Sequence, residues 1–192
     1  TFKLVRFNEV EVDGKLKWVF FPEQCRHCLE PPCKMMADAF IPGAIIQDEA
    51  TGAVIYTEKT KDLDYQTIRE ACPYDIPRKE ESTGLLTKCN MCIDRVRAGM
   101  LPACVKTCPT FTMHFGDRDE MLAIARTRLA EVQKKSPAAL LADSDLVRVL
   151  YLCEVHPSHY HHHMVADAGA GPERIGPFSR RALLAMRPLR MG

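Results

Sequence analysis

The placement of cysteine constrains this chain more than any other sequence feature. Nine cysteines occur in 192 residues. Eight of them form a first group of Cys25, Cys28 and Cys33, a second group of Cys89, Cys92, Cys104 and Cys108, and Cys72 between the two. Disulfide scaffolds are usually shorter chains with widely spread cysteines, whereas closely spaced thiolates let one loop wrap a metal centre. The pattern therefore favours metal binding over disulfide bonding.

The spacing within these groups distinguishes iron–sulfur clusters from zinc. Three closely spaced thiolates hold three corners of a cubane cluster, and a remote cysteine, often followed by proline, supplies the fourth. Two such units occur, Cys72-Pro73 and Cys108-Pro109. A zinc site built from Cys-x2-Cys pairs would leave these units and Cys33 without a role. We therefore predict that eight cysteines bind [4Fe–4S] clusters, namely Cys25, Cys28, Cys33, Cys72, Cys89, Cys92, Cys104 and Cys108, with a zinc-stabilised structural module as the alternative.

Two β-hairpins are predicted in the first third of the chain. Residues 2–21 surround Asp13-Gly14, a dipeptide typical of a two-residue turn. A second hairpin pairs residues 44–47 with residues 53–57 across an Asp-Glu-Ala-Thr-Gly turn. Residues 77–88 are interpreted as a polar connector between the cysteine groups.

One helix and one strand are predicted after the second cysteine group. Asp117 and Glu120 form a capping-box pattern before an amphipathic helix over residues 118–135. Its apolar residues are expected to be core contacts, and they are Met121, Leu122, Ala125, Leu129 and Val132. Residues 146–155 predict a β-strand, within which Cys153 is interpreted as a small buried hydrophobe rather than a ligand.

Several function classes are excluded by what the sequence lacks. The net charge is +1 and the body of the chain carries no basic face, which disfavours nucleic-acid binding. No apolar run approaches the ~20 residues of a membrane-spanning helix. We find no catalytic constellation and no glycine-rich phosphate loop. Because the chain begins at Thr1 in what reads as a strand, we expect that an N-terminal piece is missing.

Charged residues beside the predicted ligands can be interpreted in two ways. Arg26, His27, Lys88 and Arg95 are positioned to raise the reduction potential of a net-negative cluster. For each residue taken singly, an ordinary solvated charge is the expected interpretation. Further along, His156, His159 and residues 161–163 are interpreted as a polar surface turn, with adventitious metal binding as the second interpretation.

Three segments carry a resemblance to a known family. CRHCLEPPC (25–33), ACPYDIPR (71–78) and KCNMCIDRVRAGMLPACVKTCPT (88–110) resemble the ferredoxin-type small subunits of molybdenum- and tungsten-dependent oxidoreductases. The resemblance is closest to the beta subunit of the soluble, periplasmic tungsten or molybdenum formate dehydrogenases, and it covers about residues 1–155. It implies an electron-transfer subunit with no active site of its own.

The departures from the family pattern imply how the clusters are assigned. Full-size members carry four clusters, but here Ala37-Asp38 replaces a Cys-Pro unit, and Asp62, Tyr65 and Ile68 replace three further cysteines. The family pairing then implies one complete cluster held by the first group and Cys72. Cys89, Cys92 and Cys104 hold a second cluster with an upstream fourth ligand, and Cys108 completes a third. The rival pairing is a two-cluster ferredoxin that joins Cys108 to the first group and Cys72 to the second.

The resemblance also implies the partners. A large catalytic subunit bearing a tungsten or molybdenum pterin would oxidise formate, and a cytochrome c would be the external acceptor. Co-export with that subunit would place the complex in the periplasm, with no membrane span in this chain. The alternative is the equivalent subunit of a dimethyl sulfoxide, polysulfide or nitrite system.

The expected fold is α+β, with two ferredoxin-like βαβ lobes elaborated by hairpins. We assign residues 1–116 to the iron–sulfur lobes, residues 117–163 to a helix–strand extension, and residues 164–192 to an extended tail. The tail contains five arginines, at positions 174, 180, 181, 187 and 190. An arm lying on a partner and a disordered terminus both remain open for it.

Overall fold

The computed structural model describes residues 2–166, which combine short helices with two-stranded antiparallel sheets. The strands are β1 (Leu4–Val12), β2 (Lys15–Glu23), β3 (Ile45–Gln47), β4 (Val54–Tyr56), β5 (Arg78–Lys79), β6 (Leu86–Thr87), β7 (Leu140–Ala142) and β8 (Tyr151–Cys153). The α-helices are α1 (Pro32–Phe40), α2 (Tyr65–Ala71), α3 (Ile93–Arg97), α4 (Ala103–Lys106) and α5 (Arg118–Gln133). Short 3₁₀ turns occur at Glu58–Asp62 and Pro157–His159.

The N-terminal hairpin is observed where the turn signal predicts it. β1 and β2 pair along their full nine-residue lengths. Asp13 and Gly14 reverse the chain with φ of 52° and 71°, a left-handed region that both residue types tolerate. One face of the hairpin buries Val19 and Phe21 against the C-terminal part of the described chain. This packing positions the end of β2, from which the first cysteine group begins.

The opposite face of this hairpin is apolar and exposed. Phe7, Trp18 and Phe20 are 49%, 65% and 56% exposed. Their rings contact one another, with centroids 5.8 Å apart for Phe7 and Trp18 and 5.2 Å apart for Phe7 and Phe20. Contiguous exposed apolar surface of this kind is typical of a protein–protein contact.

The hairpin formed by β3 and β4 contributes to a compact core. Ile45 and Val54 from these strands pack with Ala37 of α1 and Ile68 of α2, and all four are essentially inaccessible to solvent. The connecting turn is held by Asp48, whose carboxylate accepts hydrogen bonds from the Thr51 amide at 3.0 Å and from its hydroxyl at 2.6 Å. An Asx turn of this type closes a hairpin without tertiary help.

The strand topology differs from the expected βαβ lobes. Each sheet among residues 2–166 pairs two strands that follow one another along the chain, and none of these pairs encloses an α-helix. Residues 77–88, expected to be a connector, contain the hairpin of β5 and β6. Short turns account for the difference, because closing a local loop costs less entropy than pairing strands across a helix.

Helix α5 lies where the sequence predicts a helix, but its N-terminal capping and its burial differ from the prediction. Asp117 is the N-cap residue, yet its side chain makes no capping hydrogen bond, so the predicted capping box is wrong. None of the helix residues is fully buried, and the five predicted core positions are half-buried. The apolar side of the helix lines an open cavity beside the second cysteine group, with Met121 and Ile124 among its lining residues.

The strand predicted over residues 146–155 is shorter than expected. Only Tyr151–Cys153 forms β8, which pairs with β7, a strand that the sequence analysis did not predict. The preceding residues are diverted, since Val147 forms an isolated bridge with Cys28 and the amide of Val149 donates to the carbonyl of Arg26 at 3.0 Å. Cys153 is fully buried among apolar side chains, as its interpretation as a hydrophobe requires.

The C-terminal end of the described chain packs against the core. Met164 and Ala166 are 2% and 5% exposed, so the predicted tail boundary at residue 164 falls within a packed segment. The five arginines of the predicted tail lie outside the described residues. The histidine-rich turn is polar and largely at the surface, with His156 and His162 exposed and the His161 ring stacked on Phe21 at 5.8 Å. None of the helices in residues 2–166 is long and apolar enough to cross a bilayer.

Two neighbouring residues of β3 offer a test of this core. Ile45 is 0% exposed and Ile46 is 40% exposed. We expect Ile45→Ala to destabilise the protein by about 2–5 kcal/mol, because the vacated volume cannot be refilled in a packed core. The matched change Ile46→Ala should cost no more than about 0.5 kcal/mol. Thermal unfolding of the cluster-loaded variants measures both effects, and equal melting temperatures would contradict the assigned core.

Candidate functional site

Four thiols from three structural elements line one cavity. Cys25 and Cys28 lie in the loop after β2, Cys33 lies in the first turn of α1, and Cys72 is the C-cap residue of α2. All four thiols border the same cavity. The structure therefore brings Cys72 to the first cysteine group, although it lies 39 positions after Cys33 in the sequence.

Proline and aromatic side chains close this cavity. Pro31 and Pro32 line it on one side and Pro73 on another, together with the rings of Tyr56 and Tyr74. Pro32 opens α1 at a position where its missing N–H costs no hydrogen bond. Because these groups offer few polar atoms to water, the four thiols lie in a low-dielectric environment.

The four thiols influence one another electrostatically. Burial raises the pKa of Cys28 well above its usual value, and the neighbouring Cys25, Cys72 and Cys33 raise it further. Burial, followed by Cys33, raises the pKa of Cys72 to about 12. Four thiolates so close together are unfavourable unless a cationic centre lies among them. This donor set therefore fits an iron–sulfur cluster, whose irons supply the positive charge.

Three thiols of the second group line another, more open cavity. Cys89, Cys92 and Cys104 all border it. The loop that carries the first two is bent by consecutive left-handed residues, Met91 at φ 61° and Cys92 at φ 51°. The amide of Met91 donates to the Cys89 Sγ at 3.4 Å, and Asn90 Oδ1 accepts from the amide of Cys92 at 3.0 Å. Amides directed at sulfur stabilise a negatively charged ligand.

Cys108 is not among the residues that line either cavity. Hydrogen bonds from the hydroxyls of Thr110 and Thr112 lower the pKa of its thiol to about 6. Its sulfur lies 3.4 Å and 3.5 Å from these two oxygens. A thiol of low pKa is suited to metal ligation.

Three of the four positions at which the resemblance implies missing ligands lie in or against an apolar core. Ala37 and Ile68 are both 0% exposed and lie in the same core as Cys33. Tyr65 packs against this core, whereas Asp62 is exposed.

Three of the four charged residues beside the cysteines are buried, so their interpretation as solvated charges is wrong. Arg26, His27 and Lys88 are 2%, 1% and 8% exposed. Arg95 is half-buried, with its Nε donating to the carbonyl of Leu101 at 2.9 Å. Sequence adjacency to cysteine did not reveal burial, because burial depends on which distant segments pack over each side chain.

Arg26 and Lys88 both border the four-thiol cavity. The Arg26 guanidinium lies 3.8 Å from the centroid of the Tyr151 ring, and its Nη2 donates to the carbonyl of Met164. The ammonium of Lys88 donates to the carbonyls of Val54 and of Cys89, the latter at 2.9 Å. No ion pair of either residue with a carboxylate is found among residues 2–166. Lys88 acts directly on the thiols, since its charge lowers the pKa of Cys33 against the larger raising effect of burial.

His27 is held in one orientation. Its Nδ1 accepts a hydrogen bond from the amide of Val54 at 3.0 Å, while its own amide donates to Cys25 Sγ at 3.4 Å. Burial, followed by the charges of Lys88 and Arg148, lowers the pKa of its imidazole well below the usual value. The ring is therefore neutral in this environment.

Sequence reasoning missed the tyrosines and Asp143. Tyr56 and Tyr74 line the four-thiol cavity, and the hydroxyl of Tyr74 donates to Asp143 Oδ2 at 2.9 Å. The same oxygen accepts from the amide of Ala166 at 2.7 Å, which ties the end of the described chain to the site. No local pattern marks these residues, apart from the position of Tyr74 directly after Cys72-Pro73.

Comparisons with known proteins identify the family. Residues 16–118 match a family described as a 4Fe-4S dicluster domain. The chain is 53% identical over 167 residues to the formate dehydrogenase subunit beta of Megalodesulfovibrio gigas, which covers 86% of this chain and 78% of that protein. It is also 53% identical over 163 residues to formate dehydrogenase 2 subunit beta (cytochrome c-553) of Nitratidesulfovibrio vulgaris, covering 83% and 74% of the two chains. The chain belongs to the formate dehydrogenase iron–sulfur subunits.

More distant relatives agree with this assignment. The nitrate-inducible formate dehydrogenase iron–sulfur subunit of Escherichia coli is 40% identical over 133 residues, which are 69% of this chain and 44% of that protein. As an iron–sulfur subunit of this family, the chain carries [4Fe–4S] clusters and functions in electron transfer. These relatives favour this function over the zinc module and over the other molybdopterin systems.

We expect the cluster-free subunit to be poorly folded. Ligation would join the loop at residues 25–33 to Cys72, and without it that link between separate elements is lost. Circular dichroism and thermal melting of chelator-stripped protein measure the change. Reconstitution with iron and sulfide is the control and should restore both signals. An unchanged spectrum and melting profile after stripping would contradict the expectation.

Proposed function

We propose that this subunit relays electrons from a large catalytic subunit, bearing a tungsten or molybdenum pterin that oxidises formate, to an external acceptor such as a cytochrome c. The observation that carries the proposal is the closed cavity lined by four thiols from three elements. The relatives are formate dehydrogenase subunits, and the name of one of them includes cytochrome c-553.

Eight cysteines would hold the clusters. Cys25, Cys28, Cys33 and Cys72 would bind one complete [4Fe–4S] cluster, and Cys89, Cys92 and Cys104 would bind three corners of a second. The fourth ligand of the second would come from a segment before Thr1, and Cys108 would complete a third cluster held by that segment. When bound, each cluster supplies a site that gains or loses a single electron.

The surrounding residues make such a site usable for electron transfer. Pro31, Pro32 and Pro73 exclude water from the four thiols. Arg26 and Lys88 offset part of the negative charge that four thiolates bring. Since these cations are buried, solvent does not screen them, and their influence on the reduction potential is larger than that of surface charges.

The outer face of the N-terminal hairpin supports a tight association with another protein. Phe7, Trp18 and Phe20 form a contiguous exposed apolar patch, which a stable partner would cover. We assign the catalytic subunit to this role. On the resemblance to soluble periplasmic formate dehydrogenases, we further propose that the complex is periplasmic.

Exchange of one predicted ligand tests the function. We expect Cys72→Ser in the assembled complex to remove or convert one cluster, with loss of up to about four iron atoms per subunit, and to slow formate-driven reduction of cytochrome c. Formate oxidation with a dye that takes electrons directly from the catalytic subunit should persist. The matched control is Cys153→Ser, which alters a fully buried cysteine outside both cavities.

Iron analysis and EPR spin counting measure cluster content, and stopped-flow absorbance measures cytochrome reduction. If Cys72→Ser retained all iron and its full rate, the assignment of this cavity would be wrong. A loss of iron in Cys153→Ser equal to that in Cys72→Ser would show general instability instead of ligand loss.

A second prediction concerns the buried side chain of Lys88. Replacing Lys88 by Met removes a positive charge beside the four thiols but retains an apolar stem of similar length. We expect the reduction potential of the cluster there to fall by roughly 50–100 mV, equivalent to about 1–2 kcal/mol for one electron. Lys106→Met is the control, since Lys106 lies between two predicted ligands in sequence but is exposed. EPR-monitored redox titration measures the reduction potential of this cluster in both variants. Equal shifts in potential would count against a special role for Lys88.

A further inference from the structure

His27 belongs by sequence to the first cysteine group but borders the cavity of the second. Its side chain is 1% exposed, and the residue lines the cavity that also contains Cys89, Cys92 and Cys104. Its main-chain amide, by contrast, donates to Cys25 Sγ of the first group. A single residue therefore contacts one predicted cluster site through its backbone and borders the other.

The hydrogen bond from Val54 determines the protonation of the ring. The Val54 amide donates to Nδ1 at 3.0 Å, so Nδ1 is the unprotonated nitrogen. The ring proton is therefore on Nε2, at the opposite side of the imidazole. Rotating the ring would break this hydrogen bond and leave the amide of Val54, a residue that is 1% exposed, without its partner.

Nε2–H has no acceptor among the described residues. It is fully buried and unpaired, although buried donors are almost always hydrogen-bonded in native proteins. The sulfurs of Cys89, Cys92 and Cys104 share this cavity with His27, and as thiolates they accept hydrogen bonds. An orphaned donor at the edge of a cavity lined by three thiols indicates that its acceptor arrives with the group that these thiols bind.

We propose that His27 Nε2–H donates a hydrogen bond to a sulfur of the iron–sulfur cluster at Cys89, Cys92 and Cys104, and thereby raises the reduction potential of that cluster relative to its neighbour. The proposal rests on the proposed function, because it requires a cluster in the second cavity. A donor aimed at sulfur favours the state with one more electron, since that state has the higher negative charge on sulfur.

His27 lies between the two predicted cluster sites. Its amide donates to Cys25 of the first group, and the residue borders the cavity of the second group. Arg148 holds this stretch in place by donating to the carbonyl of Cys28 at 3.0 Å. A side chain at Gly52 would collide with Arg148, at 1.9 Å from its Nε, so this contact requires glycine.

Two substitutions separate the structural bond of His27 from the proposed one. In His27→Asn the side-chain oxygen can still accept the hydrogen bond from the Val54 amide, but the shorter side chain places no donor near the position of Nε2. Asparagine also tolerates the left-handed conformation of His27, at φ 46°. In His27→Gln the longer side chain restores an N–H donor near the position of Nε2. The two variants differ in reach but not in charge.

The experiment is an EPR-monitored redox titration of the complete complex, with signals assigned through Cys72→Ser and Cys89→Ser. We expect His27→Asn to shift the cluster of the second group to a more negative potential while the cluster of the first group stays unchanged, and His27→Gln to recover part of that shift. Unchanged potentials in His27→Asn, or a shift confined to the first-group cluster, would overturn the proposal.

A spectroscopic measurement on the native complex keeps the proposal testable if a variant fails to fold. Pulsed EPR of protein carrying isotopically labelled histidine should show a nitrogen coupling on the second-group cluster. This coupling should disappear in His27→Asn and in His27→Gln, because neither variant has a labelled imidazole at position 27. Absence of any histidine coupling in the native complex would overturn the hydrogen bond. If Cys89→Ser removed no cluster signal at all, the proposed function would fail instead, so the two failures are distinguishable.

Discussion

The arrangement of this subunit depends on keeping several thiolates together in a place that water cannot reach. Burial and mutual repulsion raise the pKa values of Cys28 and Cys72 above their ordinary ranges. Without iron the thiols stay protonated, and bound iron would offset the repulsion between thiolates and tie a loop, a helix start and a helix end to one centre. The small size of the surrounding sheets is explained by this tie, because isolated two-stranded hairpins are at best marginally stable alone.

Ordinary apolar packing lies directly beside the four-thiol cavity. Ala37 and Ile68, two positions at which the resemblance implies missing ligands, both lie in the same core as Cys33. An apolar core lowers the dielectric constant on that side of the cluster site, which strengthens the influence of nearby charges such as Lys88.

Charges and donors around the sulfurs come from segments far apart in the chain. Lys88 reaches the first cavity from the second cysteine group, and His27 reaches the second cavity from the first group. Val54 links them, since its carbonyl accepts from Lys88 and its amide donates to His27. The two cavities are thus coupled through one residue of β4, which gives the hairpin of β3 and β4 a role in the site as well as in the core.

Short sequence patterns were enough to predict much of the fold and of the candidate site. Cysteine spacing, the two Cys-Pro units, the turn at Asp13-Gly14 and the long helix after Asp117 all act over a few residues, so pattern alone could identify them. The eight predicted ligands remain a prediction, but their grouping into a first set with Cys72 and a second set without it agrees with where the cavities lie.

Long-range packing decided the rest. The sequence analysis expected βαβ lobes, a long strand over residues 146–155 and solvated charges at Arg26, His27 and Lys88, and the structure differs in each case. Pairing of residues 147–149 with the cysteine loop shortened the strand, and the C-terminal segment ending at Ala166 closed over Arg26. Burial of a charge is a property of everything that packs around it, and no window of neighbouring residues contains that information.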